Sequence, residues 1–324
     1  MTRRSGRGSG AWCAGLLLAG VSVVVGCRAA DTDGITPVPQ LLAFLPWLLA
    51  PAGFALLCAL LARWWPGLVW RVTVLGLLAW YVEPYGRTAE PDGPPLARLR
   101  VLTANAGSGR GIPALVPVLR DRRPDVVFVQ ECASGCRAAR EGDFASVYPH
   151  RRAAGEDGSG SKGSLVLSRF PLRPAEGVRG RPGMPGAVAD VRGHAVRLQL
   201  VHTVPPLPDR VGPWRRGLAG LRAFAAAHDD GPVILAGDFN ASQDHAAFRH
   251  LLGTGLTDAA RLAGHDRTPS RPSRTASVLG AQLDHVLVSR DFTATGARFP
   301  RVSGTGHRAL VVDLTPHRRD RTVR

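Results

Sequence analysis

Gly231–Ser242 reads GPVILAGDFNAS. The apolar run PVILA has the length of a buried strand. It closes on Gly237 and then delivers Asp238 and Asn240 at alternate positions, so both polar side chains leave the strand end on one side. Such a pair can hold a phosphate and a proton between them. An Asp-x-Asn step after a strand is also ordinary turn chemistry, because each side chain bonds its own backbone. What separates the two readings is that strand ends of the same kind recur before and after this one.

Upstream, ARLRVLTANAGSG alternates and then breaks at Asn105 into a Gly-rich turn, and DVVFVQ (Asp125–Gln130), apolar enough to be buried on both faces, ends on Glu131. GSLVLS follows, leading into the turn SRFPL, and then two strands over Ala187–Asp190 and Ala195–Val201, the second running on to His202. Downstream, LDHVLVS carries Asp284 and RALVVDLTP follows His307. Helical spacing marks Ile112–Arg123, with Pro113 in the tolerated first turn, Trp214–His228, and a stretch from about Asp244 to Leu252. Seven to ten strands with three or four helices predict an α+β fold, two sheets packed face to face with helices outside.

The composition breaks near residue 86. Before it, Leu, Ala, Val and Trp dominate. Three uncharged or nearly uncharged runs, at about 11–27, 41–62 and 64–82, predict three transmembrane helices, the third with Arg71 inside it close enough to one end to snorkel. The Arg-rich start (Arg3, Arg4, Arg7) would stay cytoplasmic and the loop with Asp31 and Asp33 would be exported, placing everything after Glu83 outside: a multi-pass cell-membrane protein with an extracytoplasmic catalytic domain. A cleaved leader with Cys27 lipidated is the rival for the first run. Residues 87–97, rich in Pro and Gly, read as a linker, 98–316 as the catalytic domain and 317–324 as a basic tail. Cys132 and Cys136 are the two cysteines outside the apolar runs, and in an exported domain they would be candidates for a disulfide despite their i,i+4 spacing.

The formal charge of +16 and the pI near 11.3 point to a polyanionic ligand or to a solvated basic face. Arginine supplies nearly all of it, since Lys162 is the only lysine, and the arginines are spread along the chain. No internal repeat is evident. Three runs without repeat symmetry exclude a transporter.

Seven polar residues therefore stand where a buried strand meets a loop: Asn105, Glu131, His202, Asp238, Asn240, Asp284 and His307. The segments that carry them, TANAG, DVVFVQE, GSLVLSRFPL, VHTVPP, LAGDFNAS, LDHVLVS and GTGHRALVVDL, resemble in type and order the endonuclease/exonuclease/phosphatase family, which spans deoxyribonucleases, apurinic-site endonucleases and sphingomyelinases. The three apolar runs before them resemble a bacterial membrane-bound branch. The resemblance implies a four-layer α/β/β/α sandwich and Mg²⁺-dependent hydrolysis of a phosphodiester or phosphomonoester, with Mn²⁺ as the alternative ion. Glu131, with Asn105 beside it, would hold the cation as oxygen ligands. His307, oriented by Asp284, would be the base. Asp238 and Asn240 would hold water, phosphate and leaving group, and His202 would donate to a phosphoryl oxygen or the leaving group.

Two positions depart from the family pattern: Gly306 stands where Asp usually precedes the histidine, and Gly107 where some members have Asp. The substrate would be nucleic acid, a phospholipid head group or a soluble ester, and no protein partner is implied. The alternative reading is a catalytically degenerate membrane protein that binds phosphate or polyanions.

Overall fold

A computed structural model describes residues 3–62, 65–82, 93–132, 142, 144–154, 163–180, 182–275 and 278–318. The chain divides into two compact units, Met1–Gly86 with Gln243–Ala247, and Arg87–Ser242 with Phe248–Arg324.

The first unit contains α1 (Arg3–Ala29), α2 (Val38–Ala43), a 3-10 turn (Leu45–Leu48), α3 (Leu49–Ala62) and α4 (Trp65–Val82). Leu18, Val21, Val25, Leu42, Leu45 and Leu78 form its core. The Trp70 indole donates to Ser22 Oγ at 3.0 Å. Asp33 is buried and accepts from the amides of Ala246 and Ala247 at 2.7 and 3.2 Å.

The three expected membrane spans do not form: among the described residues no helix is long and apolar enough to cross a membrane. The second expected span is broken into α2, the 3-10 turn and α3, and α3 has 14 residues, which reach roughly 21 Å against a hydrocarbon core of about 30 Å. Arg3, Arg4 and Arg7, expected as a flank, lie within α1. Arg71, expected to snorkel, is wholly buried within α4. The multi-pass membrane placement and the outward orientation derived from it therefore have no basis.

The second unit runs β1 (Leu99–Asn105), α5 (Ile112–Arg122), β2 (Val126–Gln130), β3 (His150–Ala154), β4 (Ser164–Ser168), β5 (Leu172–Ala175), β6 (Gly186–Val191), β7 (His194–His202), α6 (Val211–Ala226), β8 (Val233–Asp238), α7 (Ala246–Leu252, its first two residues counted with the first unit), β9 (Thr257–Asp258), α8 (Ala259–Leu262), β10 (Asp284–Val288), β11 (Phe292–Arg298) and β12 (Leu310–Pro316). Two mixed sheets result, ordered β11-β12-β1-β2-β4-β3 and β5-β6-β7-β8-β10-β9. The first has a parallel pair, β1 with β2, flanked by antiparallel β12. The second repeats the plan with β7 parallel to β8 and antiparallel β10 beside it.

Alternation along the strands decides which side chains meet. Val101, Phe128, Leu198, Ile234, Val286 and Val312 belong to one apolar cluster joining strands of the two sheets. The opposite face of the first sheet, Leu102, Val127, Leu165 and Val311, packs on Ile112, Leu115 and Leu119 of α5. Each of these buried aliphatic side chains stabilises the fold by roughly 1.5–3 kcal/mol relative to exposure. The sandwich is thus α+β, as its strand count predicts.

Four strands escape the sequence reading: β3, β5, β9 and β11. The expected linker falls mostly on residues 87–92 and the tail mostly on 319–324, which lie outside the described residues, as does Cys136. Cys132 is wholly buried and disulfide-bonded.

Candidate active site

The two parallel strand pairs point their carboxyl ends toward the same edge of the sandwich, and the antiparallel neighbours begin there. The register makes this explicit: Asn105 stands beside Gln130, His202 beside Asp238, and Asp284 beside Asp238. Glu131 directly follows β2, and His307 precedes β12. All seven singled-out residues therefore reach one edge.

Their side chains meet across the two sheets. Asn105 Nδ2 donates to Glu131 Oε1 at 3.1 Å and to Asp238 Oδ2 at 3.0 Å. His202 Nε2 lies 3.6 Å from Glu131 Oε1, and His307 Nε2 lies 3.8 Å from Asp238 Oδ2. His307 Nδ1 bonds Asp284 Oδ2 at 2.8 Å. Asn240 is held differently: its amide N–H donates to Asp238 Oδ1 at 2.9 Å and its side-chain NH₂ to the Thr203 carbonyl at 2.8 Å. Its primary local effect is to fix Asp238.

Backbone geometry supports the cluster. Glu131 and Asn240 both sit at positive φ, +52° and +46°, a costly conformation for non-glycine residues. Glu131 Oε2 accepts from Ser108 N–H at 3.2 Å, and Asn105 Oδ1 accepts from Gly107 N–H at 3.0 Å. At Gly107 φ is +56°, and a Cβ there would lie 3.1 Å from the Thr305 Cβ. An aspartate at that position would be both strained and crowded. Gly306 is the opposite case, with nothing within 4 Å of a built Cβ.

Gly237 explains the glycine of LAGDFNAS. A Cβ on it would collide with the backbone carbonyl of Val201 in the neighbouring strand. Gly237→Ala is expected to cost at least about 2 kcal/mol of stability, read as a fall in the thermal unfolding midpoint. A midpoint within about a degree of wild type would contradict the close approach.

The charges are arranged with opposite bias. Burial works to raise the Glu131 carboxyl, but the His202 and Asn105 donors and the nearby imidazoles outweigh it and hold its pKa at about 2. For His307, burial works against protonation, yet the Asp284 and Asp238 charges and the Asp284 hydrogen bond push its pKa up to about 9. Asp238, wholly buried, is shifted upward by burial and by the Asp284 charge, against the pull of His307. At neutral pH the site thus contains an anionic Glu131 and a protonated His307.

These residues suit a divalent cation. Glu131 offers an ionised hard oxygen donor, and Asn105 stands beside it. Asp238, Asp284 and His307 form a second group whose ligand atoms lie within 4.8 Å of one another. Among the described residues, His202 Nδ1 and Asp284 Oδ1 are buried in this site without a hydrogen-bond partner, as polar atoms are where a bound ion or phosphate completes the set.

Several supporting residues were not singled out from the sequence. Thr203 Oγ1 donates to the Phe239 carbonyl at 2.5 Å, and Ser270 Oγ accepts from Asp284 N–H at 3.1 Å. Thr305 Oγ1 accepts from His307 N–H at 3.2 Å. His285 underlies the loop after β8. Its two ring nitrogens face acceptors, the Asp258 carboxylate at 2.6 Å and the Ala241 carbonyl at 2.9 Å, while Phe239 and Phe248 pack on the ring. Burial opposes protonation of His285, but Asp258 overrides it and shifts the pKa up. The signal available in the sequence was the His beside Asp284 in LDHVLVS, on the opposite side of the strand.

Comparison with known proteins agrees with this fold. The fold resembles that of an AP endonuclease from Archaeoglobus fulgidus, at 16% identity and TM-score 0.52, over 66% of this chain and 98% of that one. It also resembles an endonuclease/exonuclease/phosphatase from Beutenbergia cavernae DSM 12333, at 18% identity and TM-score 0.52, over 68% and 72%. A third likeness is to D. rerio TDP2 complexed with single strand DNA product, at 16% identity and TM-score 0.53, over 68% and 99%. At such identities these likenesses establish the fold alone. No curated protein matches the chain by sequence. The profile of the endonuclease/exonuclease/phosphatase family matches residues 102–305, more than half of the 324-residue chain. The chain therefore belongs to the endonuclease/exonuclease/phosphatase family, and with that membership it is a metal-dependent phosphoester hydrolase.

Proposed function

We propose that the second unit hydrolyses a phosphodiester by attack of water, with Mg²⁺ as the working ion, held by Glu131 and Asn105. The single observation that supports this best is the joining of an anionic Glu131 and a protonated His307 through Asn105 and Asp238 at one sheet edge. When bound, the cation supplies charge neutralisation at the phosphoryl oxygens.

The remaining work belongs to the side chains. His307 is held cationic by Asp284, so it presents positive charge and a proton at Nε2 to the phosphoryl group. Asp238 is made more basic by burial and is fixed by Asn240 and Asn105, which suits it to accept the proton of the attacking water. In this reading the role of base passes from His307 to Asp238. His202, with Nε2 toward Glu131, donates to a non-bridging oxygen or to the leaving group.

The test is a panel of a chromogenic phosphodiester, a chromogenic monoester and single-stranded DNA, each assayed after EDTA treatment and after return of Mg²⁺, Mn²⁺ or Ca²⁺. Diester hydrolysis is expected to fall to background with EDTA and to recover with Mg²⁺. Monoester cleavage without diester cleavage, or full activity in EDTA, would overturn the proposal.

A further inference from the structure

Arg301 Nη2 and Arg308 Nη2 both donate to the Thr275 carbonyl, each at 3.0 Å, so two guanidinium groups converge on one neutral oxygen. Arg308 directly follows His307 and is 3% exposed, and among the described residues its Nε has no hydrogen-bond partner. Burial, and then the charge of Arg301, shift its pKa down, yet an arginine remains charged in proteins. Among the described residues no carboxylate forms an ion pair with Arg301 or Arg308, nor with Arg110, Arg271 or Arg274.

Arg110, Arg274, Gly304, Thr305 and Gly306 line an open cavity of about 310 Å³; along the chain Arg274 directly precedes Thr275, and Gly306 stands two residues before Arg308. A buried cation left without a counter-charge is strongly unfavourable, whereas an exposed one is solvated. Solvation accounts for Arg110 and Arg274 separately, but it does not account for Arg308. A phosphate oxygen supplies what the Thr275 carbonyl lacks, a full negative charge with several acceptor positions. The family departure at Gly306 falls in the same place, since Gly306 lines this cavity with Arg110 and Arg274.

We propose that Arg110, Arg274, Arg301 and Arg308 form a second anion subsite, which takes a phosphate group of the substrate other than the one being cleaved. The proposal rests on the phosphodiesterase reading above and narrows its substrate to one carrying at least two phosphates. Gly306 keeps the path between the two phosphate positions uncharged.

The test compares kcat/KM in Mg²⁺ for a thymidine dinucleotide without terminal phosphate and for its 5′- and 3′-phosphorylated forms. Wild type is expected to prefer one phosphorylated form by at least about tenfold, the order of one charge-assisted contact. The double variant Arg110→Ala/Arg274→Ala, whose side chains are exposed, and the variant Gly306→Asp are each expected to bring that ratio within about threefold of unity. A wild type without preference, or a preference that survives in both variants, overturns the subsite while leaving diester hydrolysis intact. If no dinucleotide is cleaved, the chromogenic diester decides the functional reading, which has failed only if that substrate too is left intact. The subsite then stands or falls on pyrophosphate binding in metal-free buffer, measured by calorimetry. An affinity at least about tenfold weaker in the double variant supports it, and equal affinity overturns it.

Discussion

Glu131→Gln is expected to lower kcat/KM for a phosphodiester in Mg²⁺ by about 10³-fold, the equivalent of roughly 4 kcal/mol of transition-state stabilisation. The substitution keeps the size of the side chain and one carbonyl oxygen, which can accept from Asn105 Nδ2 or from Ser108 N–H but not from both, since these bond different Glu131 oxygens at 3.1 and 3.2 Å. What it removes is the charge, and the charge is what the surroundings maintain: despite burial, His202 and Asn105 hold the carboxyl at about 2. A depressed pKa means that this carboxylate stabilises the fold above the ordinary carboxylate range and that the contribution is lost as pH falls toward about 2. At neutral pH the variant should therefore be somewhat less stable and nearly inactive, with calorimetric Mg²⁺ affinity reduced in parallel. Turnover within tenfold of wild type, in a variant that binds Mg²⁺ normally, would remove Glu131 from the metal site.

A loss of similar size, about 10³-fold in kcat/KM, is expected for His307→Gln. Glutamine can still donate toward Asp284 but carries no proton to lose. Because Asp284 and Asp238 raise the His307 pKa to about 9, the wild-type rate should fall as pH rises through about 9, and that alkaline limb should be absent from the residual activity of the variant. Stability follows the same sign. A histidine whose folded pKa is raised stabilises the protein fully below its unfolded pKa, and the contribution, on the order of 3 kcal/mol, is lost as pH rises through the folded value. Denaturant midpoints at pH 6 and pH 10 should thus converge in His307→Gln relative to wild type. A rate that rises through pH 9 in wild type would instead identify His307 as the base and return Asp238 to a holding role.

LAGDFNAS was legible because a buried strand must be apolar and must stop, and what it stops on is exposed to chemistry. The same logic read Asn105, Glu131, His202, Asp284 and His307, each next to a run of strand length. It could not read Thr203, Ser270 or Thr305, whose hydroxyls each bond a backbone group. A hydroxyl's partner is set by a fold-dependent approach, and no local pattern records it. The short edge strands β3 and β5 were missed because Arg151, Arg152 and Arg173 interrupt their apolar character. The error in the first 86 residues has a different source. Apolar length is only a necessary condition for a span, and it does not show where a helix breaks. Pro46 falls in the 3-10 turn that interrupts the second run.

The hydrogen bond from Asn105 to Asp238 joins one sheet to the other, and that from His307 to Asp284 ties the loop leading into β12 of the first sheet to β10 of the second. They act as a clasp at the open end of the sandwich, where the apolar interior gives out. Catalytic alignment and the mutual seating of the sheets are therefore one mechanical property. Warming that lets the halves slide by a fraction of an ångström would misalign the reactive groups while the strands themselves stayed intact. An ion or phosphate lodged between the sheets would tighten the clasp, so the chemistry at the rim doubles as a fastening for the whole unit.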